Sequence, residues 1–494
     1  MADMPFPDLP PLPDPEDDHF HDECGVFGIC RHVDAAAHTA LGLHALQHRG
    51  QEAAGIVSYD GRQFHSHRAL GLVGDNFDSQ DVIARLPGEM AIGHNRYSTS
   101  GDTVIRNVQP LFAEFKFGGL AIAHNGNLTN ARSLRRSLID RGCIFQSTSD
   151  TETFIHLIAI SDAANVVERV TDALRRVEGA YSLVAMTREK LIGVRDPHGV
   201  RPLVLGKTGN AHILTSETCA LDIIGAEFVR DIAPGEMIVI DKGGLHSYSP
   251  FITVPTKFCI FEYIYFARPD SNMEGTNIYQ VRKNIGAELA RESHVDADVI
   301  VPVPDSGVPA ALGYAEHANI PFELGIIRNH YVGRTFIEPT QQIRNLGVRL
   351  KHNANSKYLA GKRVILVDDS IVRGTTSVKI VDMVRAAGAA EVHMRVSSPP
   401  TAHPCYYGID TPESDELMAS RMDLQQMRRT IGVDTLAFIS DDGLYRALGY
   451  NGRNSQAPQH CDACFSGDYP VRLTDQEDGP EPVQLSLLRE RGQG

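Results

Sequence analysis

Residues 364–377, Val-Ile-Leu-Val-Asp-Asp-Ser-Ile-Val-Arg-Gly-Thr-Thr-Ser, decide the fold of the second half of this 494-residue chain. Four apolar residues, three of them β-branched, read as a strand buried on both faces. Asp368 and Asp369 close it, and a small, hydroxyl-rich stretch then opens a helix at about 376–388. An Asp or Ser in such a place often does no more than cap the helix. The complete run offers more. Two adjacent carboxylates can reach ribose hydroxyls and a hydrated Mg²⁺, an ion that takes carboxylates together with substrate oxygens. Ser370, Arg373, Gly374, Thr375 and Thr376 supply backbone N–H groups and hydroxyls at a helix start, a seat for phosphate.

The flanks repeat this grammar. A helix at about 278–293 leads to the strand DVIVPVP (298–304), a helix at 307–318 and PFELGII (321–327); the strand VHMRVSS (392–398) follows the helix after the decisive run. Strands alternating with helices imply a parallel, doubly wound sheet that binds ligands at its strand C-termini. A second strand-to-helix loop, VPDSGVPA (303–310), contains Ser306. Between the two loops lies RNHYVGRTFIEPTQQIRNLGVRLK (328–351), with Arg328, Arg334, Arg344, Arg349 and Lys351 against Glu338. It reads either as a solvated basic loop or as a lid that closes over an anion and excludes water.

The full 364–377 run resembles the signature of the type I phosphoribosyltransferases, which use phosphoribosyl pyrophosphate (PRPP). The resemblance implies that Asp368, Asp369 and Ser306 are the Mg²⁺-associated residues and that Arg373, Gly374, Thr375 and Thr376 bind substrate. YVGRTFI (331–337) is similar to the lid of the amidophosphoribosyltransferases, which makes Tyr331 and Arg334 substrate-binding residues.

From Cys24 to about 255 the pattern differs. Short β-rich runs (VFGIC, AAGIVSY, LAIAHNG, YSLVAMT, LIGVRD, PLVLG, HILTS, EMIVI) are divided by Gly and Pro turns, with helical stretches at 150–163 and 163–177, suggesting layered sheets. ECGVFGI (23–29) alone would be a buried cysteine entering a strand. It is joined in order by QHRGQEAAGI (47–56), GHNRYST (93–99), HNGNLTN (124–130), STSDTE (147–152) and RDPHGVRPL (195–203). Together these resemble the glutaminase domain of the class II amidotransferases, members of the N-terminal nucleophile (Ntn) hydrolases with a four-layer αββα fold. The resemblance implies Cys24 as nucleophile, Asn125 and Gly126 as the oxyanion donors, Arg96 on the glutamine α-carboxylate and Asp150 on its α-amine. Taken locally, Asn-Gly is commonly a hairpin turn and Arg96 or Asp150 a surface ion.

A thiol attacks an amide only as thiolate. An α-amine at Cys24, with a pKa near ~8, is a suitable base once the peptide bond before it is cut. Residues 1–23 carry six prolines, eight acids and no Lys or Arg, a composition that forms no core. They are expected to be a propeptide ending at Glu23.

Cys461-Asp-Ala-Cys464 is a C-x-x-C that alone reads as a turn, a redox pair or half a metal site. Cys259 in CIFEYIYFARPDS (259–271) and Cys405 in SSPPTAHPCYYGID (397–410) complete a set of four. Spacing does not choose between zinc and iron–sulfur. In one branch of the amidophosphoribosyltransferases, cysteines at these places hold a 4Fe–4S cluster, and the resemblance implies a structural cluster here. Cys30, Cys143 and Cys219 match no motif and are expected in the core.

Net charge is −15, against a nucleic-acid surface, and no window approaches the ~18 to 20 apolar residues of a membrane span. No secretory signal opens the chain, so a cytoplasmic enzyme with reduced thiols is expected. The expectation is thus a propeptide (1–23), an Ntn glutaminase domain (24–255), a phosphoribosyltransferase domain (256–470) and a polar tail (471–494). The function implied is transfer of ammonia from glutamine to PRPP, with Mg²⁺ and a 4Fe–4S cluster. Sugar-phosphate aminators and asparagine synthetases share the glutaminase but lack DDSIVRGTT; intact Cys24, Asn125, Gly126, Arg96, Asp150, Asp368 and Asp369 argue against a PRPP-sensing regulator with dead catalytic sites. The family resemblance also implies a homotetramer inhibited by purine nucleotides.

Overall fold

A computed structural model describes residues 24–97, 103–329 and 352–477. Two antiparallel sheets build the first half. One runs Glu227–Asp231, Val204–Thr208, Ala211–Thr215, Gly25–Cys30, Met90–Arg96, Ala53–Tyr59, Phe64–Leu70. The other runs Gly244–Tyr248, Met237–Asp241, Leu191–Arg195, Gly179–Thr187, Gly118–Leu128, Leu111–Phe115. Val26, Val57, Ile92, Ala121, Val184 and Leu214 fill the space between them. The helix Ala35–Ala45 covers the outer face of the first sheet through Ala40 and Leu43 against Phe27 and Ile29. Helices Thr151–Ile160 and Val166–Leu174 cover the second through Phe154, Leu157 and Val170. This is the αββα sandwich, and each inner strand is apolar on both faces because both faces are covered.

Five strands here have no separate place in the sequence reading. Phe64–Leu70, FHSHRAL, is a half-exposed sheet edge whose centre reads His-Ser-His-Arg, so its polarity hides it. Glu227–Asp231 and Gly244–Tyr248 are also edges, and Leu111–Phe115 is another. Met90–Arg96 is central and fully strand, although its GHNR stretch carries chemistry.

The second half is the expected doubly wound sheet, strands Val299–Pro302, Arg363–Asp368, Glu391–Val396 and Thr435–Phe438 side by side and parallel. Alternate residues point to opposite cores. Ile300, Ile365 and Val367 meet helices Ile278–Glu292 and Val308–Ala318. Val299, Val301, Val364 and Leu366 meet Thr375–Ala386 and Leu424–Ile431. PFELGII yields only the short strand Ile326–Arg328, paired with His352–Ala354 as a two-stranded stem. Most of the expected lid springs from this stem and, with Tyr331 and Arg334, lies outside the described residues, as do residues 1–23.

The polar tail expected from 471 onward is not loose at its start. Val471 is held by the Tyr407 hydroxyl of the second half, and Thr474 and Asp475 reach the first half at Glu178 and Thr129. The Asp475 carboxylate accepts the N–H of Arg132 at 2.7 Å, the N–H of Ser133 at 3.0 Å and the Ser133 hydroxyl at 2.7 Å. It caps the helix Ala131–Asp140 from across the molecule, because that helix has no side-chain cap of its own. The remaining tail residues lie outside the described residues.

The halves also share a buried ion network. Arg49 Nη2 lies 2.6 Å from Glu262 Oε2, and Arg49 Nε donates to Glu217. Glu217 additionally accepts the Ser271 hydroxyl at 2.6 Å and the Arg268 N–H at 2.9 Å. Among the described residues no helix is long and apolar enough to cross a membrane.

Candidate active sites and cysteine cluster

Cys24 enters the strand Gly25–Cys30, and register pairing sets Gly25 opposite Asn95, bringing the thiol beside Arg96 and Tyr97. The thiol is 6% exposed and donates to the Tyr97 carbonyl at 3.5 Å. Burial pushes it up to about 11, with Arg96 pulling the other way and Asp150 and Glu52 adding to the rise. A thiol so placed needs a base to become a nucleophile.

Arg96 ends the next strand, buried, its Nη1 donating to the Asn107 carbonyl at 3.3 Å. Asp150 is the residue before the helix Thr151–Ile160 and accepts the Leu128 N–H at 3.0 Å. Burial alone would raise its carboxyl; His124, the Leu128 N–H and Arg96 outweigh this and hold it below the ordinary carboxylate range. An anion beside a buried cation suits the two ends of an amino acid.

Asn125 and Gly126 lie in the strand Gly118–Leu128 and not in a hairpin turn, since Asn125 pairs with Ser182 and Gly126 with Tyr181. The Asn125 side chain is wholly buried, and neither its Nδ2 nor its Oδ1 has a hydrogen-bond partner. A buried amide left unpaired is costly and marks a donor kept for a ligand. Gly126 has φ +132°, and a Cβ there would stand 2.1 Å from the Ala180 carbonyl oxygen. Only glycine fits.

In the second half the carboxylates stand at the C-terminal end of a central parallel strand. Asp368 and Asp369 are buried. Asp369 accepts the hydroxyls of Ser306 at 2.5 Å and Ser370 at 2.7 Å, joining the 303–310 loop to the 364–377 run. Gly374 precedes the helix Thr375–Ala386, whose N-cap makes no side-chain hydrogen bond, and a helix start of this kind suits an anion. Thr375 is exposed and Thr376 buried at that turn. Arg373 pairs with Glu416 at 2.7 Å, a partner that no motif pointed to. The oxygen donors fit Mg²⁺, which needs only one or two carboxylates when a substrate supplies the rest.

The four cysteines come from three segments that meet. Cys259 and Cys461 are register partners in the parallel pair Phe258–Cys259 and His460–Cys461. The Cys464 carbonyl accepts the N–H groups of Ala402 and His403 at 3.0 and 3.1 Å, which brings in the loop of Cys405. Burial and the neighbouring thiols push Cys461 and Cys464 well above the ordinary thiol value. Arg201 is buried beside Cys259, Cys405 and Cys461. Among the described residues no three His, Cys, Asp or Glu stand at metal-binding spacing, so the thiols are neighbours without being drawn to one point. Four neighbouring thiols, Cys259 and Cys461 buried and Cys405 and Cys464 half-buried, suit a soft metal centre, whose binding would replace their protons. Cys30 and Cys219 are buried in the first half, and Cys143 is half-buried against its core.

A glutamine amidotransferase domain model matches residues 94–222, and a phosphoribosyl transferase domain model matches 275–408. An amidophosphoribosyltransferase of Rhizobium etli is 59% identical, covering 98% of this chain and 99% of that protein. One from Bacillus subtilis is 49% identical over 92% of this chain and 95% of its own. The solved glutamine PRPP amidotransferase from B. subtilis, complexed with ADP and GMP, superposes with a TM-score of 0.86 at 48% identity, covering 91% of this chain and 98% of its own. A thiol with a waiting amide donor in one half and a carboxylate pair at a strand end in the other agree with these likenesses, and the chain belongs to the amidophosphoribosyltransferase family.

Proposed function

We infer that this chain transfers the amide nitrogen of glutamine to PRPP, giving 5-phosphoribosylamine, glutamate and pyrophosphate, the first step of purine biosynthesis. The observation that carries this reading is the unpartnered, fully buried Asn125 amide in the half that also buries Cys24, Arg96 and Asp150. Such a set suits amide cleavage, and the transferase half supplies an acceptor.

In the proposed mechanism the leader is cut between Glu23 and Cys24, and the freed α-amine takes the thiol proton. The thiolate attacks the glutamine carboxamide while Asn125 Nδ2 and the Gly126 N–H receive the developing oxyanion. Collapse breaks the C–N bond, ammonia leaves with the proton, and a glutamyl thioester remains for water to hydrolyse. Arg96 and Asp150 hold the two charged ends of glutamine. In the second half, ammonia attacks C1 of PRPP, and the electron pair of the C1–O bond departs with pyrophosphate. Arg373, Gly374, Thr375 and Thr376 seat phosphate, and closure of 328–351 with Tyr331 and Arg334 excludes water.

A magnesium ion at Asp368, Asp369 and Ser306 would offset the charge of the leaving group. A 4Fe–4S cluster on Cys259, Cys405, Cys461 and Cys464 would cross-link three segments, and neither half-reaction is a redox step. Purine nucleotides as inhibitors, a homotetramer and a cytoplasmic location belong to the same reading. The division at 24–255 and 256–470 belongs to it too.

Cys24→Ala tests the two-site scheme. It should abolish glutamine-dependent pyrophosphate release and leave the rate at high ammonia intact. Loss of both rates would contradict separate sites. Anaerobic purification with iron and sulfide analysis and N-terminal sequencing checks the cluster and the cut. Cys405→Ser should then lose iron, and an iron-free wild type would remove the cluster from the scheme.

A further inference from the structure

The segment Ser397–Gly408 of the transferase half runs between the two sites. At one end the Ser397 N–H donates to the Asp368 carbonyl at 2.8 Å. At the other, Gly408 packs backbone to backbone on Gly126. A Cβ at Gly408 would stand 2.7 Å from Gly126 Cα and 2.9 Å from its carbonyl carbon. On its other side Gly126 faces the Ala180 carbonyl oxygen, 2.1 Å from where a Cβ would stand, so its backbone is enclosed between Ala180 and Gly408. The next residue of the same strand, Asn127, donates from Nδ2 to the Tyr406 carbonyl at 3.0 Å. Tyr407, buried, is pinned in turn: its hydroxyl donates to the Val471 carbonyl at 2.8 Å and accepts the Val471 N–H at 3.0 Å.

We propose that Tyr406–Gly408 forms the outer wall of the glutaminase oxyanion site, with Gly408 and Asn127 as positioning residues that set where the Gly126 N–H points. This rests on the amide-transfer reading above. An oxyanion donor works by being preorganised, so a shift of a few tenths of an ångström in Gly126 weakens transition-state binding more than substrate binding. The positive φ of Gly408, +108°, accounts for glycine there but not for its apposition to Gly126.

Two variants of the full-length enzyme test this. Gly408→Ala wedges a methyl group against Gly126, and Asn127→Ala removes the bond to Tyr406 with no added bulk. Each should lower glutamine-dependent kcat by about 10-fold or more, since loss of a whole oxyanion donor costs ~10²- to 10³-fold. KM for glutamine should stay within about twofold, and the ammonia-dependent rate should match wild type, because uniform and transition-state binding separate in this way. Should Gly408→Ala fail to fold, Asn127→Ala carries the test. Equal loss of the glutamine and ammonia rates, a rise in KM alone, or no change would each overturn the proposal. A wild type that releases no pyrophosphate from glutamine and PRPP would instead defeat the functional reading itself.

Discussion

Cys24 sits in the protonation state least useful for attack. With its thiol pushed up to about 11, a negligible fraction is thiolate at neutral pH, and Arg96 alone does not reverse the effect of burial. The enzyme therefore depends on a base, and the α-amine proposed for that role must be unprotonated. Glutamine-dependent kcat/KM should consequently rise with pH through the amine's pKa near ~8 and be lost below it. A flat profile from pH 6 to 9 would remove the amine from the mechanism. Asn125→Ala should lower glutamine-dependent kcat by ~10²- to 10³-fold with the ammonia rate kept, read by steady-state kinetics with each nitrogen source. Cys24, Asn125, Gly126, Arg96 and Asp150 could be singled out as candidates from sequence because each lies within a short motif whose residue types the proposed chemistry requires. Asn127 was not, although it lies in the quoted HNGNLTN: its partner is Tyr406, 279 residues away, and no local pattern records such a pairing.

Among the elements, those buried on both sides were the readable ones. The strand Arg363–Asp368 and the helices Ile278–Glu292 and Val308–Ala318 fall close to their expected bounds, because covered faces demand continuous apolar residues or a helical period. Edge strands such as Phe64–Leu70 escape that demand and look like loops. The docked start of the tail was illegible for another reason. Asp475 acts on a helix more than three hundred residues upstream, and a polar segment that caps a distant helix has the composition of a disordered one. Asp475→Ala should lower stability by ~0.5–2 kcal/mol, the range for a lost N-cap, seen as a lower unfolding midpoint. Asp475→Asn, which keeps an acceptor for these N–H groups, should recover most of it. An alanine variant as stable as wild type would mean that water replaces the cap without loss.

At the scale of the whole molecule, Arg49 is the charge on which the junction of the halves turns. It lies wholly buried between Glu217 of the first half and Glu262 of the second. Burial alone would raise the Glu217 carboxyl, but Arg49 and His48 hold it well below the ordinary range. A depressed folded-state pKa contributes stability that is present above the unfolded value near ~4.3 and is lost as pH falls through the folded one. The wild-type junction should therefore hold from neutral pH down to about pH 5. Arg49→Met removes the cation the two buried carboxylates share and leaves Glu217 with His48 at 2.6 Å and Glu262 with Arg201 at 4.0 Å, at a cost of ~3–5 kcal/mol. Without the guanidinium that lowers it most, the Glu217 carboxyl is driven up by burial, so the folded variant takes up protons that wild type does not and the two stabilities converge as pH falls. The gap between the unfolding midpoints of variant and wild type should be largest at pH 8 and shrink towards pH 5. Calorimetry at the two pH values decides the matter: a gap that widens on acidification would show that Arg49 contributes packing at this junction and not charge.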